Sequence, residues 1–131
     1  MPAIPEAFHD LFERKTFAHV ATLSPKGYPH VTPVWVDYDP DTDRLLVNTE
    51  RGRRKERNVD RDPKVGVSML DPDDPYRYLS VTGEVIAATE EGAREHIDRL
   101  SRRYFGRDYD NPIRTRRVIL EIEPADVMAN D

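Results

Sequence analysis

The stretch His19-Val20-Ala21-Thr22-Leu23-Ser24-Pro25-Lys26-Gly27-Tyr28-Pro29-His30-Val31-Thr32-Pro33-Val34-Trp35 holds two β-rich runs on either side of a tight turn. From Phe17 to Leu23, residues Phe17, His19, Ala21 and Leu23 alternate with Ala18, Val20 and Thr22, the period of two that gives a strand two different faces. Ser24-Pro25-Lys26-Gly27 has turn chemistry, with proline at the second position and glycine at the fourth. A second strand is expected from Tyr28 through Tyr38, interrupted at Pro29 and Pro33. Proline donates nothing to a ladder, so this strand runs along an edge, bulges or leaves its register there.

Working outward, Asp39-Pro40-Asp41-Thr42-Asp43 is a further turn and Arg44–Thr49 a third strand, giving an expected meander in the first part of the chain. Later strands are expected at Lys64–Leu70, at Tyr78–Ala88, where Gly83 marks a bend or a close backbone approach, and at Arg116–Ile122. Ala3–Lys15 places Ile4, Phe8, Leu11 and Phe12 at helical spacing. A helix capped at Thr89 with Gly92 carries Ala93, Ile97, Leu100 and Tyr104 on one side and ends near Gly106. Glu50–Arg61 lacks an apolar stripe and reads as a short exposed helix stopped before Asp62-Pro63. The expected fold is one domain over residues 1–131, mostly β with flanking helices: a small six-stranded antiparallel barrel.

Composition narrows the function. The chain has 131 residues, no cysteine and a formal net charge of -5, so disulfides, thiolate metal sites and thiol nucleophiles are excluded. No apolar stretch approaches the roughly 20 residues of a membrane span. Pro5, Glu6, His9 and Asp10 break any signal-peptide pattern, so the cytoplasm is the expected location. His9, His19, His30 and His96 fall in no metal-ligand spacing, so no metal is expected. Hydrolase, P-loop and Rossmann signatures are absent.

Against the acidic background, Arg51, Arg53, Arg54, Lys55 and Arg57 form a basic cluster. One reading is a solvated face balanced by Glu50, Glu56, Asp60 and Asp62; the other is an anion site just past a strand end, with Thr49 capping the turn and its free amides facing a phosphate. The cluster has no interleaved aromatics, which argues against nucleic acid as a partner. Trp35, the single tryptophan, is either a packing anchor or the wall of a site for a flat ring. Tyr76, Arg77 and Tyr78 carry the same ambiguity.

Taken in order, His19–Leu23, Lys26-Gly27, Pro29–Trp35, Val47-Asn48-Thr49, Gly52–Asn58, Asp62–Val65, Tyr76–Tyr78 and Val81-Thr82-Gly83 resemble the pyridoxamine 5′-phosphate oxidase-like split-barrel proteins. More narrowly they resemble the F420-dependent branch, the flavin/deazaflavin oxidoreductases of type B. The resemblance implies an FMN-binding split barrel and a homodimer with the cofactor in a groove at the subunit interface. It implies that Lys55, with Arg54 or Arg53, binds the cofactor phosphate, helped by Thr49 and Asn58, with Asn48 beside them. Pro33, Val34 and Trp35 match the stretch whose backbone lies against the cofactor ring. Met69, Tyr76, Arg77 and Tyr78 match ring-edge and partner-subunit contacts.

The founding oxidases have longer chains and a basic, aromatic C-terminal segment for the substrate phosphate, so vitamin B6 oxidation is not expected here. The expected cofactor is coenzyme F420, with FMN as the alternative. F420 carries an oligoglutamate tail, and Arg51, Arg53, Arg57 and Arg61 offer more positive charge than one phosphate needs. The expected activity is an F420-dependent reductase passing hydride to a small organic acceptor. A binding protein without turnover would carry the same groove. No catalytic acid is assigned.

Overall fold

The computed structural model describes residues 3–131. Its strands are β1 (Phe17–Leu23), β2 (Pro29–Trp35), β3 (Asp37–Asp39), β4 (Arg44–Glu50), β5 (Lys64–Leu70), β6 (Tyr78–Thr89) and β7 (Arg117–Asn130). Two helices, α1 (Arg54–Arg61) and α2 (Ala93–Phe105), and a 3-10 helix at Glu6–Phe12 complete it.

All pairings are antiparallel, in the order β2-β1-β5-β6-β7-β4-β3. β2 and β3 therefore sit at opposite ends of that order although only Val36 separates them in the chain. A flat sheet would hold its two outer strands about 29 Å apart, six inter-strand spacings of about 4.8 Å. The two peptide steps across Val36 reach at most about 7 Å. The sheet therefore curls until its edges meet, and Val36, with no exposed surface, sits at the seam.

That geometry corrects the six-strand expectation. The single strand expected over Tyr28–Tyr38 is two strands, and the expected meander is split, since β2 pairs only with β1 and β3 only with β4. Pro29 and Pro33 lie on β2, an outer strand of the order, where a missing N–H costs no ladder bond. The Ser24–Gly27 turn forms as its residues require: the Gly27 N–H donates to the Ser24 carbonyl at 2.9 Å, with Gly27 at a φ of 83°.

On β1, Ala18, Val20 and Thr22 face the core, while Phe17 and His19 are exposed. Strands β4, β5, β6 and β7 send Leu45, Val47, Val67, Leu79, Val81 and Leu120 into the same interior. Gly83 marks a register shift between β6 and β7; a Cβ there would lie 2.3 Å from the Glu123 carbonyl oxygen. This is the close backbone approach expected from the sequence.

The opening segment buries Phe8, Leu11 and Phe12 as its spacing predicts, but as a 3-10 helix, the form short helical pieces often take. Thr89 does not cap α2: it ends β6, and its hydroxyl donates to Glu121 Oε2, while Gly92 precedes the helix without a side-chain cap. Nor does Thr49 cap α1, which begins beyond it at Arg54. α1 is not simply exposed either. It docks through buried Glu56, Asn58 and Val59, with Asn58 Nδ2 donating to Thr22 Oγ1 at 3.0 Å. Polar anchors replace the apolar stripe, which is why hydropathy alone gave no docking face. No helix among the described residues is long and apolar enough to cross a membrane.

Candidate functional site

Where β2, β4, α1, α2 and the start of β7 converge, the surface holds a groove of about 350 Å³. One wall is aromatic. The Trp35 indole stacks on Tyr104, with centroids 5.1 Å apart and planes 14° from parallel, and meets Phe105 edge-on at 5.2 Å. Pro33 and Val34 continue this wall along β2. The rest of the lining includes a polar set: Asn48, Thr49, Arg53, Lys55 and Arg117.

This polar set carries buried donors without partners. Thr49, 2% exposed, has an Oγ1 that makes no hydrogen bond, and Arg117, 8% exposed, leaves Nη1 unbonded. Among the described residues Lys55 has neither hydrogen-bond nor ion-pair partner. Burial pushes the Lys55 ammonium below its ordinary pKa, and the charges of Arg53 and Arg117 push it further. Glu50 is largely committed: its Oε1 accepts N–H bonds from Arg114 and Thr115 at 2.5 Å each, and its Oε2 accepts from Arg53 at 3.4 Å and stands 3.9 Å from Arg117. Arg53 and Arg117 share the single Glu50 carboxylate, and Lys55 has no acid partner among the described residues. With the orphaned donors these three cations make the donor set of an anion site, and the aromatic wall beside it suits a flat ring.

Residues 4–131 match the sequence model of a family described as pyridoxamine 5′-phosphate oxidase. The chain belongs to that family. A solved structure named F420 reductase is 32% identical, with 95% of this chain and 98% of that one aligned and a TM-score of 0.82. General Stress Protein 26 from Bacillus anthracis (19% identity, 96% of this chain and 92% of that one, TM-score 0.72) shares the fold. So does the conserved hypothetical protein Rv2991 from Mycobacterium tuberculosis (24%, 98% and 86%, TM-score 0.71). A search of curated proteins gives no significant match. This member of the family is thus an oxidase-like split barrel whose curled sheet has seven strands.

The residues expected to form its site separate into groups. Pro33, Val34, Trp35, Asn48, Thr49, Arg53 and Lys55 come together around the groove. Arg54 and Asn58 do not line it; they lie around a second hollow of about 570 Å³ with Ser24, His30, Arg57 and Arg61. Asn58 is buried and structural, tying α1 to β1. Met69 is 1% exposed in the barrel core, because its position on β5 faces inward beside Leu79; its side chain is not offered to the groove. Arg77 is clamped by Asp10 Oδ1 at 2.7 Å and Asp71 Oδ2 at 2.9 Å. Tyr76 is 80% exposed and Tyr78 reaches Met128, so none of this trio lines the groove of its own chain.

Sequence reasoning missed Arg117, Tyr109 and Phe105 in the groove. A basic residue leading the apolar run Val118-Ile119-Leu120 was the available signal for Arg117. It also missed the acid–base cluster behind the groove, in which Asp37 accepts from Arg99 Nη2 and Arg103 Nη2, each at 3.0 Å, and contacts His96 Nε2 at 3.1 Å. Among the described residues there is no cluster of His, Cys, Asp or Glu able to hold a metal.

Proposed function

We propose that the protein is an F420-dependent oxidoreductase that works as a homodimer, transferring hydride between the deazaflavin coenzyme and a small organic acceptor. The observation that carries this reading is the groove itself. Its aromatic wall of Trp35 stands beside Lys55, Thr49, Arg53 and Arg117, of which the Lys55 ammonium, the Thr49 hydroxyl and Arg117 Nη1 make no hydrogen bond among the described residues. Its likeness to the structure named F420 reductase, at 32% identity, supports the choice of coenzyme.

When bound, the deazaflavin supplies or accepts the hydride. The chain's residues do the rest. Trp35, with Pro33 and Val34, forms the surface for the ring; Lys55, Arg53 and Thr49 neutralise and hydrogen-bond the phosphate. Fixing the donor in one place converts an encounter into a positioned transfer, worth several kcal/mol of barrier. The proton that completes reduction of the acceptor comes from bulk water or from a residue of the groove.

The charge available for an oligoglutamate tail differs from the sequence expectation. Arg51 is engaged by Glu56, Glu90 and the Ala88 carbonyl, and Arg61 donates to the Leu23 carbonyl and Asn58. Arg54 and Arg57 have no such partners among the described residues, and both line the second hollow. Burial lowers the pKa of His30 there, and the charges of Arg54 and Lys55 lower it further, so the two hollows lie in one positive field. A tail running from Lys55 toward Arg54 and Arg57 fits that field.

The dimer reading is supported by the outer sheet face, which exposes Phe17 (51%), Val31 (56%), Leu70 (50%) and Met128 (57%). An apolar hollow of about 510 Å³ around Ala21, Leu23, Pro29 and Gly66 lies on the same face. Large exposed apolar patches of this kind mark interfaces.

The test is titration of the purified protein with F420 and with FMN, following the fluorescence of each ligand, then stopped-flow oxidation of reduced F420 by quinones, enones and nitro-compounds. Quenching of F420 and its turnover by at least one acceptor class are expected. Tight FMN retention with no response to F420 replaces the coenzyme. F420 affinity with uniform inactivity makes the protein a binder.

A further inference from the structure

Behind the groove, four side chains form a hydrogen-bonded chain that ends at Arg117. Asn48 Nδ2 donates to the Ala93 carbonyl at 2.8 Å, which fixes the amide so that its Oδ1 faces Arg117 Nε at 2.9 Å. The second Nδ2 hydrogen points at His96 Nδ1, 3.1 Å away, so that nitrogen accepts and the imidazole proton sits on Nε2. Nε2 in turn donates to Asp37 Oδ2 at 3.1 Å. Asp37 is locked by Arg99 and Arg103, and Arg103 Nη1 also binds the Val36 carbonyl at the barrel seam. Every donor in the chain points inward, from the Arg117 guanidinium through Asn48 and His96 to the Asp37 carboxylate, so the barrel frame holds the guanidinium from behind.

The far end of that guanidinium has no comparable partner. Its plane lies over the Tyr109 ring, with Cζ 5.1 Å from the centroid. Nη1 makes no hydrogen bond, and Glu50 Oε2, the nearest acid, stands off at 3.9 Å. The Arg117 side chain is 6% exposed, yet it lines the groove with Lys55 and Thr49. Burying a guanidinium with an unfilled donor beside two other cations is costly unless an anion completes the set.

We propose that Arg117 is a further, sequence-distant cation for the phosphoryl group in the groove, beside Lys55 and Arg53, and that the Asp37–His96–Asn48 chain is the positioning device that aims it. The inference rests on the groove being a cofactor site, but it concerns the phosphoryl group alone, which F420 and FMN share. Lys55 supplies a mobile point charge from a helix; Arg117 supplies a planar donor fixed to the sheet. Together with the Thr49 hydroxyl they surround one anion from β4, α1 and β7.

The experiment compares binding of F420 with that of its deazaflavin chromophore carrying the ribityl chain but no phosphate. Arg117→Ala should weaken F420 at least tenfold and leave the unphosphorylated chromophore unchanged, with Arg117→Lys intermediate. His96→Ala should weaken F420 several-fold with the same selectivity, because it acts only by loosening the guanidinium. Unchanged F420 affinity in folded Arg117→Ala, or equal loss for both ligands, overturns the proposal. If Arg117→Ala does not fold, Arg117→Gln and Arg117→Lys are compared instead, with the same criteria. A separate arm titrates inorganic phosphate into the ligand-free protein and follows the Arg117 Nε–H NMR resonance. A shift upholds the anion role even where no deazaflavin or flavin binds, in which case only the redox reading falls; an unmoved resonance overturns the role.

Discussion

The Tyr104 ring lies flat against the Trp35 indole at 5.1 Å, while its hydroxyl donates to the buried carbonyl of Thr16. One side chain of α2 therefore both backs the groove wall and ties the helix to the start of β1. These two jobs are separable. Tyr104→Phe keeps the stacked ring and leaves the Thr16 carbonyl unpaired. It should cost about 1–2 kcal/mol of stability in urea unfolding with little change in cofactor affinity. Trp35→Ala should do the reverse at the site, weakening binding of the ring by about 1–2 kcal/mol whether or not the ligand carries a phosphate.

Lys55→Ala should weaken cofactor binding by more than about 1 kcal/mol, the worth of a charged hydrogen bond. The wild-type pH dependence follows from the Lys55 environment. Burial, then Arg53 and Arg117, lower its pKa in the free protein, and a bound phosphate would raise it. Affinity should therefore be steady at lower pH and fall as pH rises through the depressed lysine value. Fluorescence titrations at stepped alkaline pH should show this slope in wild type and lose it in Lys55→Ala.

Burial works against ionisation of Asp37, but hydrogen bonds from His96, Arg103 and Arg99 outweigh it and hold the carboxyl well below the usual carboxylate range. A depressed acid contributes stability above its unfolded pKa, near 4, and loses it as pH falls toward the folded value. Asp37→Asn should lower stability at pH 7 by about 3 kcal/mol, the cost of stripping a charge from a buried cluster. The gap between wild type and variant should narrow progressively below about pH 4, as measured by denaturant midpoints across pH.

Gly83→Ala places a methyl 2.3 Å from the Glu123 carbonyl oxygen, a backbone atom that cannot swing away. Strand β6 must then shift against β7 at its bulge. A loss of about 1–3 kcal/mol is expected in chemical denaturation. A variant as stable as wild type would mean that the bulge relaxes freely.

Light scattering at micromolar concentration should report a dimer, and Val31→Lys combined with Phe17→Lys should release monomers. Both residues are more than half exposed on the same outer face, so the charges should disturb the interface rather than the core. A monomeric wild type would remove the shared groove from the proposed function.

Much of this architecture follows from local pattern. Alternation between Phe17 and Leu23 assigned the faces of β1, the Ser24–Gly27 turn set the first hairpin, and the basic run after Thr49 marked the segment that lines both hollows. These signals act over a few residues, where backbone stereochemistry and side-chain period leave few options. The break at Val36 was not legible, because nothing in a strand's own composition says which edge of a curled sheet it will join.

Charge partnership was equally hidden. Arg51 and Arg57 look alike in the chain, yet Arg51 is held by Glu90, far along the sequence, while Arg57 meets no acid among the described residues. Arg117 becomes a groove residue only because β7 pairs with β4 and brings Asn48 to its Nε. The chain's own order of residues determined the faces of β1, the first turn and the cationic segment. Folding decided which cations are neutralised and which stay bare, because a salt bridge depends on distance in space and sequence sets only distance along the chain.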